Sequence, residues 1–328
     1  MGSALITIDT EYSHGLYQKN PSMDWRENYA RSISCETADG DVGIEYQMDI
    51  FDQYGMKAVF FVDPMPALLF GQESIDAIVH PILERGHEVQ LHIHSEWLST
   101  FSQKISDRYF GTTPFFAHHM HMLPYEMQKR VIEAGCDILV KAGAPRPTAF
   151  RAGNYGANDD SLRALADMGI KYDSSFCPAI LNSACQINLP PDQWQPIYHH
   201  GVIEMPIGAI SGPSGTQRHA QITAISAREI FDALNHAVYL GRHHFIIVSH
   251  SFELLSRNRK KINHIVRRRF EKACAMIADI DDLDIVTFAN MPDPMVGHQI
   301  DEILPHNPAR TIERVAEQIV GNILYGNG

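Results

Sequence analysis

Two carboxylates and two imidazoles occur in this chain at a spacing that suits chemistry. Asp9 and Glu11 stand two residues apart in TIDTEY, and His92 and His94 stand two apart in LHIHSEW. In an extended segment, side chains at i and i+2 share a face. Two imidazoles on one face, with carboxylates nearby, make a site for zinc or another divalent metal. A His-x-His alone is more often an ordinary pair of surface or core histidines. Its coincidence with Asp-x-Glu at a second strand end shifts the balance toward a site. Arg151 opens RAGNYG, whose glycines allow a sharp backbone turn beside a ligand. Its guanidinium can orient a carboxylate or hold an anion; an isolated arginine is more often half of a structural salt bridge. His250 follows the apolar run FIIVS, where it serves either as a general acid or as a hydrogen-bonded core histidine. Asp173 follows an apolar run in the same way.

These residues need a scaffold that brings strand ends together. Apolar runs and turn residues predict strands over residues 4–8, 57–62, 88–93, 148–150, 170–172, 202–205 and 245–249, and a last one over 285–287. Helical periodicity covers residues 42–54, 75–85, 125–142, 159–168, 227–240 and 260–278, with Asn158 as a cap. Repeated strand–helix units predict a mainly parallel sheet with helices outside. Seven or eight such units suggest a closed or nearly closed barrel, and in such barrels the reacting groups gather at the carboxyl ends of the strands. Residues 176–222, rich in Pro, Gly, Ser and Gln, read as a long surface excursion. A final helix over 311–324 is expected to pack on the barrel.

Composition sets the outer bounds. The chain has 328 residues, 45% hydrophobic, with a formal net charge of −12. That allows a large core and argues against a general nucleic-acid binder. The five cysteines are scattered without a CxxC pair, which reads as reduced thiols and a cytoplasmic protein. The start shows no signal-peptide pattern, and no apolar run approaches the roughly 18 residues of a membrane span. The basic segment from Arg257 through Lys272 (RNRKKINHIVRRRFEK) reads as one helix with a solvated face. Its alternative is contact with anionic membrane or a phosphate-bearing carrier lipid. His118, His119 and His121 read as loop or helix-start packing.

Taken together, the ordered motifs TIDTEY, KAVFFV, GHEVQLHIHSEW, FRAGNYGAN, YDSSF and IIVSHSFE resemble the polysaccharide deacetylase family. This is the NodB-homology or carbohydrate esterase family 4 group, and the likeness is greatest to its WalW-like branch tied to lipopolysaccharide biosynthesis. The resemblance implies an α/β fold, a deformed (β/α) barrel of about seven parallel strands, forming a single domain over residues 1–290. Residues 291–328 would be a C-terminal extension. It implies one divalent metal ion, zinc by preference. It casts Asp9 as base, Arg151 as the group that positions it, His250 as acid and His92 as metal ligand. Asp173 would line the substrate pocket, and Trp97 and Tyr155 would stack on a sugar unless they are core. Two positions depart from the pattern. Thr10 stands where the family has a metal-binding Asp, so Glu11 is the substitute ligand. Glu96 stands where the second His is usual, so His94, or Glu96 itself, completes the set. The implied reaction is removal of an N-acyl group, acetyl in the first instance, from an amino sugar linked to a nucleotide or lipid carrier. No nucleic-acid partner is implied, and the location would be cytoplasmic or on the inner face of the membrane. Two other readings stay open. One is hydrolysis of a different C–N bond, in a formamido sugar or a ureide. The other is an inactive barrel that binds carbohydrate or a partner.

Overall fold

The computed structural model describes residues 2–113, 116–241, 244–297 and 303–326. Its centre is a nine-stranded sheet. Strands β1 (Gly2–Thr10), β2 (Val59–Val62), β3 (Glu88–Ile93), β4 (Ala149–Ala152) and β5 (Tyr172–Asp173) follow one another in space as in sequence. Beyond β5 lies β7 (Val202–Glu204), and beyond it β6 (Ile197–His199), which pairs antiparallel to β7. On the other side β8 (Phe245–His250) pairs with β1, and β9 (Leu283–Ile285) joins the foot of β1. The path β8-β1-β2-β3-β4-β5-β7 is therefore seven parallel strands. Closure between its ends runs through isolated bridges, Ile207 to Ile246 and Gln221 to Val248. A full ladder is missing there, which makes this a half-open, deformed barrel.

Helices α1 (Ile44–Gln53), α2 (Glu73–Glu84), α3 (Tyr125–Lys141), α4 (Asp159–Asp167), α5 (Ala227–Tyr239) and α6 (His264–Ala278) connect the strands. Asn158 caps α4 through a reciprocal capping box with Ser161, as its position before the helix predicts. A parallel strand is buried on both faces, and side chains alternate between them. Ile6, Ile8, Phe60, Val62, Leu91 and Phe150 pack outward against α1, α2 and α3. Leu5, Val59, Phe61, Ala149, Tyr172, Ile246 and Val248 form a smaller cluster inside. The second parity, continued to the strand ends, carries Thr7, Asp9, Glu11, His92, His94, Arg151 and His250.

Two expectations are corrected here. Residues 176–222 are not a mere surface excursion: Phe176, Cys185, Ile187, Met205, Ile207 and Ile222 are buried, and this segment closes the barrel. The basic segment is not one helix. Residues 257–263 are irregular, α6 starts only after the Asn263 cap, and Arg269 is buried against Glu317. The final helix, α7 (Pro308–Tyr325), does pack on the barrel, but through its polar side. All five cysteines are buried and free. Among the described residues no helix is long and apolar enough to cross a membrane.

Candidate active site

Register brings the predicted residues together. In the ladders, Asp9 lies opposite His250 and His92 opposite Arg151. Asp9 and Arg151 form a buried ion pair, Nη1 to Oδ1 at 2.6 Å. Arg151 is fully buried, and a buried charge is tolerated only when its hydrogen bonds are met. They are met here. Nη1 also donates to Thr7 Oγ1 at 2.9 Å, Nε to the Ser174 carbonyl at 3.1 Å and Nη2 to Ser174 Oγ at 3.1 Å. The Phe61 ring lies 4.3 Å from the guanidinium carbon. Arg151 therefore holds Asp9 in one orientation.

Beside this pair, Glu11, His92 and His94 place three donor atoms within 4.8 Å of one another. His92 Nε2 is 3.3 Å from Glu11 Oε2, and His94 Nε2 closes on the same oxygen. The His92 Nδ1 is 2.8 Å from the Arg151 carbonyl. A carbonyl only accepts, so Nδ1 carries the hydrogen and the lone pair is on Nε2, toward Glu11. His94 Nδ1 likewise donates to Glu96 Oε2 at 3.0 Å. Hydrogen bonding of the far ring nitrogen to a carbonyl or carboxylate is the usual support of a metal-binding imidazole. Glu11 Oε2 is buried and makes no hydrogen bond of sound geometry. Burial raises the Glu11 pKa, but His94 and His92 outweigh it and hold the carboxylate well below its usual range. Burial lowers that of His94, but Glu11 and Glu96 lift it well above 6.5. Two nitrogens and one carboxylate oxygen, from one buried and two half-buried residues and aimed at one point, fit a zinc-type ion.

The alternative ligand, Glu96, is not in that donor group. It stands behind His94 and also meets His118 Nδ1 at 3.2 Å and Asn154 Nδ2 at 3.4 Å. It orients His94. Gly153 makes this packing possible, because a Cβ there would sit 2.8 Å from the His94 ring. Asn154 and Tyr155 follow with φ of 55° and 57°, a left-handed pair that non-glycine residues adopt only under constraint. The turn aims the Tyr155 hydroxyl inward, where it is buried without a hydrogen-bond partner and feels Arg151, Asp9 and Glu253; burial drives its pKa well above 10.

His250 is held by a group the sequence reading did not single out. Its Nδ1 donates to Glu253 Oε2 at 2.5 Å. Glu253 in turn accepts from Gln221 Nε2 at 2.9 Å, from the Thr223 amide at 3.1 Å and from the Thr223 hydroxyl. Burial lowers the His250 pKa, but the Glu253 carboxylate more than offsets this and pushes it up to about 9. Burial raises that of Glu253, and His250 brings it back below the usual value. Glu253 stands in the motif IIVSHSFE, so its i+3 spacing from His250 was a readable signal; Gln221 and Thr223 were not, since only folding brings them near. Asp63 was also missed. It follows KAVFFV directly, the same strand-end signal as the others, and its amide donates to the Thr10 carbonyl at 3.0 Å. Burial pushes its carboxyl up to about 7 against the pull of His94 and His92.

One expected substrate contact is corrected. Asp173 faces away from the site. Tyr172 takes the inner parity, so Asp173 points outward, opposite Glu204. Fully buried, it accepts from the Ser175 amide and hydroxyl at 3.0 and 2.8 Å, which supports the strand-end loop. Trp97 is also fully buried, its ring packed against His14, Tyr17 and Phe70. It nevertheless borders a cavity of about 300 Å³, together with Glu11, His14, Gln18, His94, Glu96 and His118. A larger cavity, about 540 Å³, lies at the opposite end of the strands around Lys57, Gly86, Glu88 and Thr148; none of the site residues borders it. A second His–carboxylate group, Asp159 with His199 and His200, is partly exposed and ties the β6–β7 turn to the start of α4.

Residues 39–172 match the model of a family described as Polysaccharide deacetylase. His92, His94 and Arg151 lie inside that span; Asp9, Glu11 and His250 lie outside it. Among solved structures the chain is similar to a candidate polysaccharide deacetylase from Mycobacterium smegmatis. The identity is 16%, the TM-score 0.52, and 88% of this chain and 87% of that one are covered. It is similar as well to the 4-alpha-glucanotransferase of Thermococcus litoralis, at 12% identity and a TM-score of 0.54, over 89% of this chain and 41% of that one. A search of curated protein sequences gives no match. Likeness at these identities speaks to the fold. That fold is shared by proteins named for different reactions, so the reaction must be argued from the site.

Proposed function

We propose that this protein is a metal-dependent hydrolase that removes an N-acyl group, acetyl in the first instance, from an amino sugar. One observation carries the reading. A Glu11–His92–His94 donor set stands next to a positioned carboxylate, Asp9 on Arg151, and next to a positioned imidazole, His250 on Glu253. A binding barrel without catalysis has no need of that combination. Glu11, His92 and His94 would hold one divalent ion, zinc by donor chemistry. Such an ion polarises a carbonyl and makes water more acidic. Asp9 takes a proton from the attacking water, and Arg151 keeps its carboxylate aimed. His250, with Nδ1 fixed on Glu253, gives the proton on Nε2 to the leaving amine. Each proton transfer is worth about 10²–10⁴-fold in rate. The Tyr155 hydroxyl is the free polar group closest in kind to a substrate contact, and the cavity over Trp97 receives the sugar. The substrate we propose is a nucleotide- or lipid-linked precursor in cytoplasmic polysaccharide or lipopolysaccharide synthesis, the setting of the WalW-like branch.

The test is metal content of the purified full chain together with release of acetate or formate from N-acetyl- and N-formyl-amino sugars. About one divalent ion per chain and acetate release, both lost in His92→Ala, is the expected result. Formate release alone would move the reading to the formamido reaction. No metal binding on titration with zinc, cobalt or manganese, with sugar binding intact, would sink it in favour of an inactive barrel.

A further inference from the structure

Helix α7 is amphipathic in the wrong sense for a helix that covers a core. A surface helix normally turns its apolar stripe inward. Here the inward side is polar. Arg314, 2% exposed, pairs with the buried Glu229 at 3.2 Å. Glu317 pairs with Arg269 at 2.7 Å, and Arg310 with Asp232 at 2.9 Å. The outward side carries Ile312, Val315, Ala316, Ile319, Val320, Ile323 and Leu324, the three-and-four spacing of a single stripe, with Ile312 at 69% and Ile323 at 67% exposed. A contiguous exposed stripe of this kind marks an interaction surface.

Cations border the stripe. Arg268 and Lys272, both exposed, share a shallow groove with Ala316 and Val320. Glu313 lines that groove as well, and Glu317 there is already neutralised by Arg269. At the far end the Arg257 amide donates to the Tyr325 carbonyl, and Lys260 and Lys261 are exposed in the same loop. The chain as a whole carries −12, so an anionic surface repels most of it and attracts this face.

We propose that α7 lies in the plane of an anionic lipid surface, its apolar stripe among the acyl chains and Arg257, Lys260, Lys261, Arg268 and Lys272 at the headgroups. An apolar face plus a basic cluster supplies the two signals that stable peripheral binding needs. A second copy of this face would present the same cations, whereas lipid phosphates neutralise them. The ion pairs of α7 with α5 and α6 fix the helix to the barrel, so the whole domain would be held at the membrane. This inference does not depend on the reaction proposed above.

The test is co-sedimentation of the full chain with phosphatidylcholine vesicles, with and without phosphatidylglycerol. Binding should require phosphatidylglycerol and weaken as salt rises. Ile312→Ser/Ile319→Ser/Ile323→Ser should weaken it by at least about tenfold. Arg268→Ala/Lys272→Ala should weaken it by roughly fivefold per side chain. All five side chains are exposed or at the rim, so the Tm of both variants should stay that of the wild type. Binding indifferent to lipid charge, or equal in wild type and both variants, would overturn the proposal. So would a dimer in light scattering that the serine variant converts to monomer, because the stripe would then be covered by a second copy.

Discussion

The His250–Glu253 pair makes a quantitative prediction about pH. The charged Glu253, 2.5 Å from Nδ1, is the main group that pushes the His250 pKa up to about 9 against burial, with Asp9 and Glu11 adding to it. Glu253→Gln keeps the size and a hydrogen-bonding oxygen but removes the charge. Burial then pulls the imidazole down toward its ordinary 6.5, with only the Asp9 and Glu11 charges left to oppose it. The proposed reaction needs His250 protonated as acid, so the alkaline limb of kcat should fall from about 9 toward 6.5. A limb that falls all the way to 6.5 would drop the protonated fraction at pH 8 from about nine-tenths to about one-thirtieth, a rate loss of up to about 30-fold from titration alone. At pH 6 the loss should be under about twofold by the same arithmetic. The assay is kcat across pH 5.5–9.5 on one amino-sugar substrate with metal content checked at each point. An alkaline limb that stays near 9 in the variant would refute the claim that Glu253 sets the charge of His250. A uniform loss at all pH values would instead point to displaced geometry.

Three further outcomes follow from the same geometry. Glu96→Ala should retain the metal at saturation but bind it about 10–100-fold more weakly, because Glu96 supports His94 and is not itself in the donor group; metal titration by calorimetry decides this, and complete loss would promote Glu96 to ligand. Arg151→Met should abolish turnover and cost about 3–5 kcal/mol in urea unfolding, since it strands the buried Asp9 charge; an unchanged midpoint would contradict the pairing. Glu204→Gln concerns the buried carboxylates outside the site. Burial, with Asp173 adding to it, lifts the Glu204 pKa well above its usual value. A raised carboxyl pKa means stability is lost as pH climbs from the ordinary 4.5 toward the folded value. The variant should therefore gain Tm over wild type near pH 7, gain little near pH 4, and leave KM unchanged.

Much of the site was legible because its signal is local. Each of Asp9, His92, Arg151 and His250 closes an apolar run, and the i, i+2 pairs put Glu11 with Asp9 and His94 with His92 on one face whatever lies around them. A parallel barrel then forces those ends together. The strand ends that misled are the short ones. β5 has two residues, too few to show alternation, so nothing in YDSSF says that Tyr172 faces in and Asp173 out. That parity comes from pairing with β4 and β7. The choice between His94 and Glu96 was equally beyond the sequence, because a short helical turn after β3 sets which of them meets Glu11 and which stands behind. The support of His250 is assembled from residues about thirty positions upstream, where Gln221 and Thr223 are polar residues in a stretch that reads as loop. Helix α7 marks the sharpest division. Its sequence fixes an amphipathic helix, but which side faces the barrel depends on what the barrel offers. It offers Glu229, Asp232 and Arg269, and these buried or half-buried charges must be paired. They take the polar side of α7, and the apolar side is left facing out.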